Sequence, residues 1–437
     1  MDQKFFRLTF YNILTNLTVP LTGLADTAIL GQLETHTFMA GVALSNILFY
    51  YLFWAFSFLR MSTTGLTAQS EGGENKIESG RLLLKSGALA LVIGAIILVF
   101  KNQIRDFGFL FLEGEADVKR AGLEYFDARI YSTPAVMCNF VLTGWFLGKS
   151  QSVIALIATA VANVSNFLLN IWFILHLGWK SEGAGLATTI SQYLMLLFFL
   201  LFLLKEKDGI LRAFRSEGVF DLKGFRSLLS LNSDIMIRTV LLISTFSIFR
   251  NFSSGLGSYT LAANAILHEF ILVGAFWIDG AALATETISG NLKGSRDRNG
   301  LWRILKLGIW SGLSIAFLFS FVVLIFPDQT FGWISKTREV VRIAKEYSLW
   351  LVPILVFGSV AFILDGFFLG MSEGRILRNS MFVSSLIFFL PFALWGKKEA
   401  DNHLLWFSLA TYMLGRSVTL GYVAYKKLFL QKSESFS

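Results

Sequence analysis

Apolar runs long enough to cross a bilayer recur along the whole chain, and this constrains the fold more than any other feature. "GALALVIGAIILVF" (87–100) and "YLMLLFFLLFLL" (193–204) are two examples. A hydrocarbon core takes roughly 20 mostly apolar residues per helix. Its lack of water leaves helices or closed barrels as the only spanning structures. Charged residues make up 16% of the 437, and 54% are hydrophobic. Soluble domains carry about 25% charged residues. A soluble fold would need a core with almost no polar face, which a chain of this length cannot arrange. The reading is an all-α integral membrane protein.

Spans are expected near 7–31, 38–69, 82–105, 122–148, 152–177, 184–204, 228–251, 259–290, 304–326, 340–371, 376–395 and 402–425. That makes twelve transmembrane helices. The start "MDQKFFRLTFYNILTNL" reads as the first retained span, because Asn12 and Asn16 interrupt the apolar region a cleaved signal needs. Most Lys and Arg fall at the N-terminus and in the even-numbered loops, with six in 205–226 and five in 293–306. By the positive-inside rule both termini face the cytoplasm of a plasma (inner) membrane. The formal charge of +8 is therefore topological and suits anionic lipid rather than nucleic acid. Cys138 is the single cysteine, so no intrachain disulfide is possible. No His/Cys cluster has metal-ligand spacing, and neither a phosphate-binding glycine loop nor a nucleophile elbow occurs. The chain is not expected to be an enzyme, or to hold a cofactor or metal. Without an ATP-binding loop, energy would come from an ion gradient, or the protein is passive.

The chain matches itself at an offset of 222 residues. "MAGVA" (39–43) falls on "LAANA" (261–265), Gly72 on Gly294, and the "EY" of 124–125 on that of 346–347. "GWFLGKS" (144–150) falls on "GFFLGMS" (366–372). A duplication of six helices is the economical explanation. Six crossings return the chain to its starting side, so the two repeats are parallel and related by an axis along the membrane normal. The expected domains are an amino-terminal lobe at 1–204, a cytoplasmic linker at 205–226 and a carboxy-terminal lobe at 227–437. Within the linker, Gly209 to Phe214 has a pattern suited to a membrane surface.

Ionisable side chains at membrane depth cost from about 2.5 to over 10 kcal/mol each, so they mark candidate sites. Four arginines qualify: Arg60, Arg129, Arg238 and Arg416. The acids are Asp26, Asp127, Asp234, Glu269, Asp279, Glu286 and Asp365. Asp26 lies in "GLADTAILG" beyond Pro20, which removes a helix hydrogen bond and favours a kink. Asn163, Asn166 and Asn170 share one helix face. Such a stripe can bind a ligand or join helices. In the second half, Asp234 and Arg238 stand four apart and can pair directly, and Asp279 and Glu286 stand seven apart. With Asp365 they form a cluster of four carboxylates and one guanidinium, and Arg378 could offset a second acid. A carboxylate left over should be protonated or hold a cation. The cluster serves coupling, substrate binding or structural wiring. Arg60, followed by Ser62, Thr63, Thr64 and Gly65, suggests close helix packing. Asp127 and Arg129 are expected near the outer interface, and Glu269 in "LHEFIL" has no evident partner.

"NLTVPLTGLADTAILGQL", "FLRMSTTGLTAQ", "LNSDIMIR", "ILDGFFLG" and "RNSM" (378–381) together resemble the multidrug and toxic compound extrusion (MATE) family, in its DinF-type branch. The resemblance spans almost the whole chain. It implies a V-shaped pair of six-helix bundles working by alternating access. The implied activity is a secondary antiporter expelling amphipathic, often cationic compounds for H⁺ or Na⁺. By that resemblance Asp26 is the helix 1 carboxylate whose protonation bends the helix about Pro20, and Asn166 belongs to the same site. The branch usually reads Asn-x-x-x-Asp in helix 5. Asn170 stands here where that second acid is expected, which favours one proton over Na⁺. Coupling through the second-lobe cluster (Asp234, Arg238, Asp279, Glu286, Asp365) is the alternative. A monomer is expected. The competing functions are a flippase of a lipid-linked intermediate, which wants a basic cleft, a polytopic enzyme and a channel.

Overall fold

The computed structural model describes residues 1–33, 35–216, 219 and 221–430, without the side chains of 19–22, 24, 25, 27, 223, 429 and 430. Among these residues every regular element is helical. Among the described residues, ten helical segments are long and apolar enough to cross a membrane. They are α2 (Thr37–Gly72), α3 (Lys76–Val99), α4 (Ala116–Gly148), α5 (Ser152–His176), α6 (Lys180–Arg215), α7 (Gly224–Ser254), α8 (Ser258–Gly294), α9 (Arg298–Ile325), α10 (Arg338–Gly370) and α11 (Gly374–Glu399). Two more long helices, α1 (Asp2–Leu30) and α12 (Asn402–Tyr425), lie where the first and twelfth spans were expected but are not among these ten. Both carry polar groups in mid-helix, Asn12, Asn16 and Asp26 in α1 and Arg416 in α12. The third helix ends at Val99, before the 105 expected, and a short helix, Lys101–Leu110, follows.

Contacts divide the chain into two compact units. One comprises Met1–Asn16 with Leu229–Ser437, the other Leu17–Leu228. This partition differs from the lobes read along the sequence, because the first half of α1 packs with the second-half helices. The side-chain amide of Asn12 donates to the Gly280 carbonyl at 3.4 Å, and that of Asn16 to the Phe276 carbonyl at 3.2 Å. Gly280 brings the α8 backbone against Ile13, where a β-carbon would clash. The Asn12/Asn16 face is therefore a helix seam.

The 222-residue repeat has a physical basis. In the Leu17–Leu228 unit, β-carbons added at Gly144 and Gly148 would strike the carbonyls of Arg60 and Thr64. In the other unit, those added at Gly366 and Gly370 would strike the carbonyls of Ala282 and Glu286. All four pairs keep the same offset. "GWFLG" and "GFFLG" are thus one helix crossing made twice, and small residues let the backbones touch. Each crossing helix is followed by a non-glycine residue at positive φ, Ser150 at 62° and Ser372 at 54°. Glu74 (56°) and Arg296 (59°) repeat the feature after α2 and α8. Left-handed residues just past a helix end let the following N–H groups close the last turn.

The linker is mostly helical. Lys207–Arg215 forms the end of the α6 segment, and Ala213 is buried against Gly80 of α3. Lys85 and Asp221 pair at 2.6 Å, and Arg81 Nε donates to Ser216 Oγ at 2.9 Å. Leu211 and Phe214 remain exposed.

Candidate functional site

The Leu17–Leu228 unit gathers its polar core around Asp26, which is 1% exposed. Asn170 Nδ2 donates to Asp26 Oδ1 at 2.5 Å and also lies 3.2 Å from Asn166 Oδ1. Asn166 Nδ2 donates to Thr188 Oγ1 of α6 at 3.1 Å, and that hydroxyl is 3.5 Å from Asp26 Oδ2. Asn163, one turn earlier, donates instead to the Thr18 carbonyl of α1 at 2.8 Å. All three amides of the stripe thus make contacts between helices or with one another. One amide joins helices, and two surround the carboxylate. The helix continues past Asn170 as a π-helical turn, Ile171–His176. Such widened turns often lie beside functional residues.

A second arm of this site comes from α4 and α2. The Tyr125 hydroxyl is 3.2 Å from Asp26 Oδ2 and 3.1 Å from Asn46 Oδ1. Arg129 NH1 donates to the Tyr125 oxygen at 2.8 Å and also to Asn46 Oδ1. Its guanidinium lies over the Phe49 ring, 4.5 Å from the centroid. Arg129 acts electrostatically on Asp26 across the tyrosine. Phe49 stacks on Phe126 at 5.0 Å, and both belong to a buried cluster with Ile29, Leu30, Val42 and Ile174. The polar groups thus sit in an apolar shell, where electrostatic interactions are less screened than in water.

Sequence reading found Asp26, Asn166 and Asn170 and named Arg129 among the membrane-depth arginines, but missed Asn46, Tyr125 and Thr188 and did not join Arg129 to Asp26. Asp127 and Arg129, expected together near the interface, part company. Asp127 pairs with Arg105 at 3.1 Å, while Arg129 joins the site. The available signal was helical spacing, since Tyr125 and Arg129 stand four apart on one face. Pro20, the expected hinge, lies outside the residues whose side chains are described, although α1 runs through it as helix.

The second cluster is wired differently from expectation. Arg238 does not pair with Asp234. Its guanidinium bonds to Asp365 Oδ2, and Arg416 bonds to the same oxygen. Asp234 pairs with Arg378 at 2.6 Å, as the charge count had allowed. Arg416 thus joins the two guanidiniums expected, Arg238 and Arg378, and the three bond to Asp365 and Asp234. The long arginine arm reaches α10 from α7, so spacing within one helix did not decide the partner. Arg416 is fully buried and also lies 5.1 Å from the Phe362 ring centroid. Asp279 is half-buried and acts on Arg238. Glu286 is 1% exposed at the α8–α10 crossing, where its carbonyl faces Gly370. Among the described residues no group of three or more His, Cys, Asp or Glu could hold a metal ion.

A helical membrane fold of two repeats, with a buried acid among amides in one and a guanidinium-clamped acid in the other, defines a membrane transporter. The chain belongs to the MatE family, whose profile matches it twice, at residues 12–172 and at 235–395. The two matches have equal length, as a duplication requires. Members of this family are transporters, not enzymes. The chain is 34% identical to DNA damage-inducible protein F of Escherichia coli strain K12, over 96% of this chain and 91% of that one. It is 22% identical to multidrug resistance protein NorM of Vibrio cholerae, over 64% and 63% of the two chains. Its fold resembles the outward-facing structure of a multidrug resistance MATE family transporter. The TM-score is 0.88 at 19% identity, over 99% of this chain and 97% of that one.

Proposed function

We propose that the protein is a secondary antiporter of the plasma membrane, with both termini cytoplasmic, that exports amphipathic, often cationic compounds in exchange for protons. The reading rests on the surroundings of Asp26. Its hydrogen-bond neighbours are the neutral groups of Asn170, Tyr125 and Thr188, and Arg129 reaches it only across the Tyr125 hydroxyl. Asn170 supplies an amide nitrogen where a second carboxylate would favour a sodium ion.

The Tyr125 hydroxyl has one proton and two acceptors within reach. With Asp26 ionised, it donates to Asp26 Oδ2, and Arg129 satisfies Asn46. When Asp26 is protonated, the hydroxyl turns to Asn46 Oδ1 and accepts the new proton from Asp26. A rotation about one C–O bond thus lets the hydrogen bonds around Asp26 follow the proton. What changes is the charge: neutral Asp26 no longer balances Arg129 or attracts a cationic substrate. Helix α1 then repacks about Pro20 and substrate leaves.

The alternative, coupling through the second cluster, is less well supported, because Asp365 already accepts from two guanidiniums. Proteoliposomes with separately imposed H⁺ and Na⁺ gradients test the proposal. Efflux of a fluorescent cationic dye should follow the proton gradient and vanish in Asp26→Asn while the variant stays folded. Wild-type efflux by that variant, or efflux driven by Na⁺ alone, would sink it.

A further inference from the structure

The Met1–Asn16/Leu229–Ser437 unit contains a cavity of ≈ 300 Å³ that the Asp26 site does not use. It is lined by Phe249, Arg250 and Ser253 of α7 and by Leu261, Asn264 and Glu269 of α8. Ligand cavities begin at about this size, so the occupant is small, on the scale of one amino acid.

Its two charges are opposite and not spent on each other. Among the described residues no ion pair within 4.0 Å joins Arg250 and Glu269, and both are exposed along the cavity. Arg250 NH2 is 3.0 Å from His268 Nδ1. A guanidinium can only donate, so Nδ1 must be the lone-pair nitrogen and the imidazole neutral. This contact holds one edge of the guanidinium, leaving others for a ligand. Glu269 is the acid for which the sequence offered no partner.

The wall behind these charges is a buried hydrogen-bonded network. Asn264 and Asn402 exchange amide hydrogen bonds of 2.7 and 3.0 Å. Trp406 Nε1 donates to Asn264 Oδ1 at 2.9 Å, and Asn264 Nδ2 also reaches Ser253 Oγ at 3.1 Å. Phe249 packs edge-on against Trp406, with centroids 4.9 Å apart. A satisfied buried network of this kind fixes the shape of a pocket before a ligand arrives.

We infer that this cavity is a second ligand site, selective for small zwitterions with an apolar body. Arg250 takes the anionic end, Glu269 the cationic end, and Phe249 and Leu261 the body between. A ligand with only one charge leaves the opposite group unsatisfied. Charge-assisted hydrogen bonds are strong enough for each end to contribute about tenfold in affinity.

Equilibrium dialysis on the purified full-length protein tests this with three probes of one shape: L-phenylalanine, phenethylamine and 3-phenylpropionate. The zwitterion should bind saturably and about tenfold tighter than either singly charged probe. Arg250→Gln should erase its advantage over phenethylamine, and Glu269→Gln its advantage over 3-phenylpropionate. Asp26→Asn should leave all three affinities unchanged, which separates this site from the proposed coupling site. Arg250→Lys keeps the charge and should keep part of the preference if Arg250→Gln fails to fold. No saturable binding, equal affinity for the three probes, or a preference surviving both glutamine variants would overturn the inference.

Discussion

The Tyr125 hydroxyl stands 3.2 Å from Asp26 Oδ2 while accepting a 2.8 Å hydrogen bond from Arg129. One phenol thereby separates the buried acid from the cation of its site. Tyr125→Phe should keep the ring packing on Phe49 and remove only the bridge. Hydrogen bonds to charged groups contribute about 1.5–3 kcal/mol, so proton-driven efflux should fall roughly tenfold or more. Thermal unfolding should change much less. Initial rates of dye efflux in proteoliposomes across a pH series would check this; an unaltered rate and pH profile would remove Tyr125 from the mechanism.

Asp365 gives the opposite pattern. Its carboxylate neutralises part of the charge of Arg238 and Arg416, both buried. Removing one partner of a buried ion pair costs about 3–5 kcal/mol, because the remaining charge is left unpaired. Asp365→Asn should therefore lower the Tm in detergent markedly. Protein that remains folded should transport with the wild-type pH dependence. A changed pH profile at unchanged Tm would move coupling to the second cluster.

The helix crossing at Gly370 gives a packing prediction. Alanine is a better helix former than glycine by about 1 kcal/mol. At Gly370, however, the new β-carbon meets the Glu286 carbonyl and Ser289 Oγ, whereas at Gly87 nothing lies within 4 Å. Overpacking of this kind typically costs about 1–3 kcal/mol. Gly370→Ala should lower the Tm and Gly87→Ala should not, as scanning fluorimetry would show.

The linker should respond to acid, but only well below neutrality. Lys85 beside Asp221, followed by the Gly224 N–H, holds the exposed Asp221 carboxyl below its usual range. A folded-state pKa below the unfolded value stabilises above the unfolded value, near 4. That stabilisation is lost as pH falls through the lower, folded value. Hydrogen exchange across 207–226 should be unchanged between pH 8 and 5 after correction for intrinsic rates. Asp221→Asn should raise it throughout. Faster exchange near pH 6 in the wild type would contradict the assignment.

The sequence by itself determined the all-helical membrane class, the duplication and the position of a deeply buried acid. Each has a local cause. Bilayer thickness sets the length of an apolar run, helix crossings demand glycine at fixed places, and a carboxylate among apolar residues is conspicuous wherever it lies. Partner choice was not legible. Asp26 and Asn170 are 144 positions apart, and Arg238 and Asp365 are 127 apart. A long guanidinium arm can reach any of several helices. Spacing within α7 pointed Arg238 at Asp234, and packing turned it to Asp365. The same limit hid Tyr125, an ordinary residue on a helix until folding placed it between Asp26 and Arg129. Only the tertiary structure decides which buried charges neutralise each other.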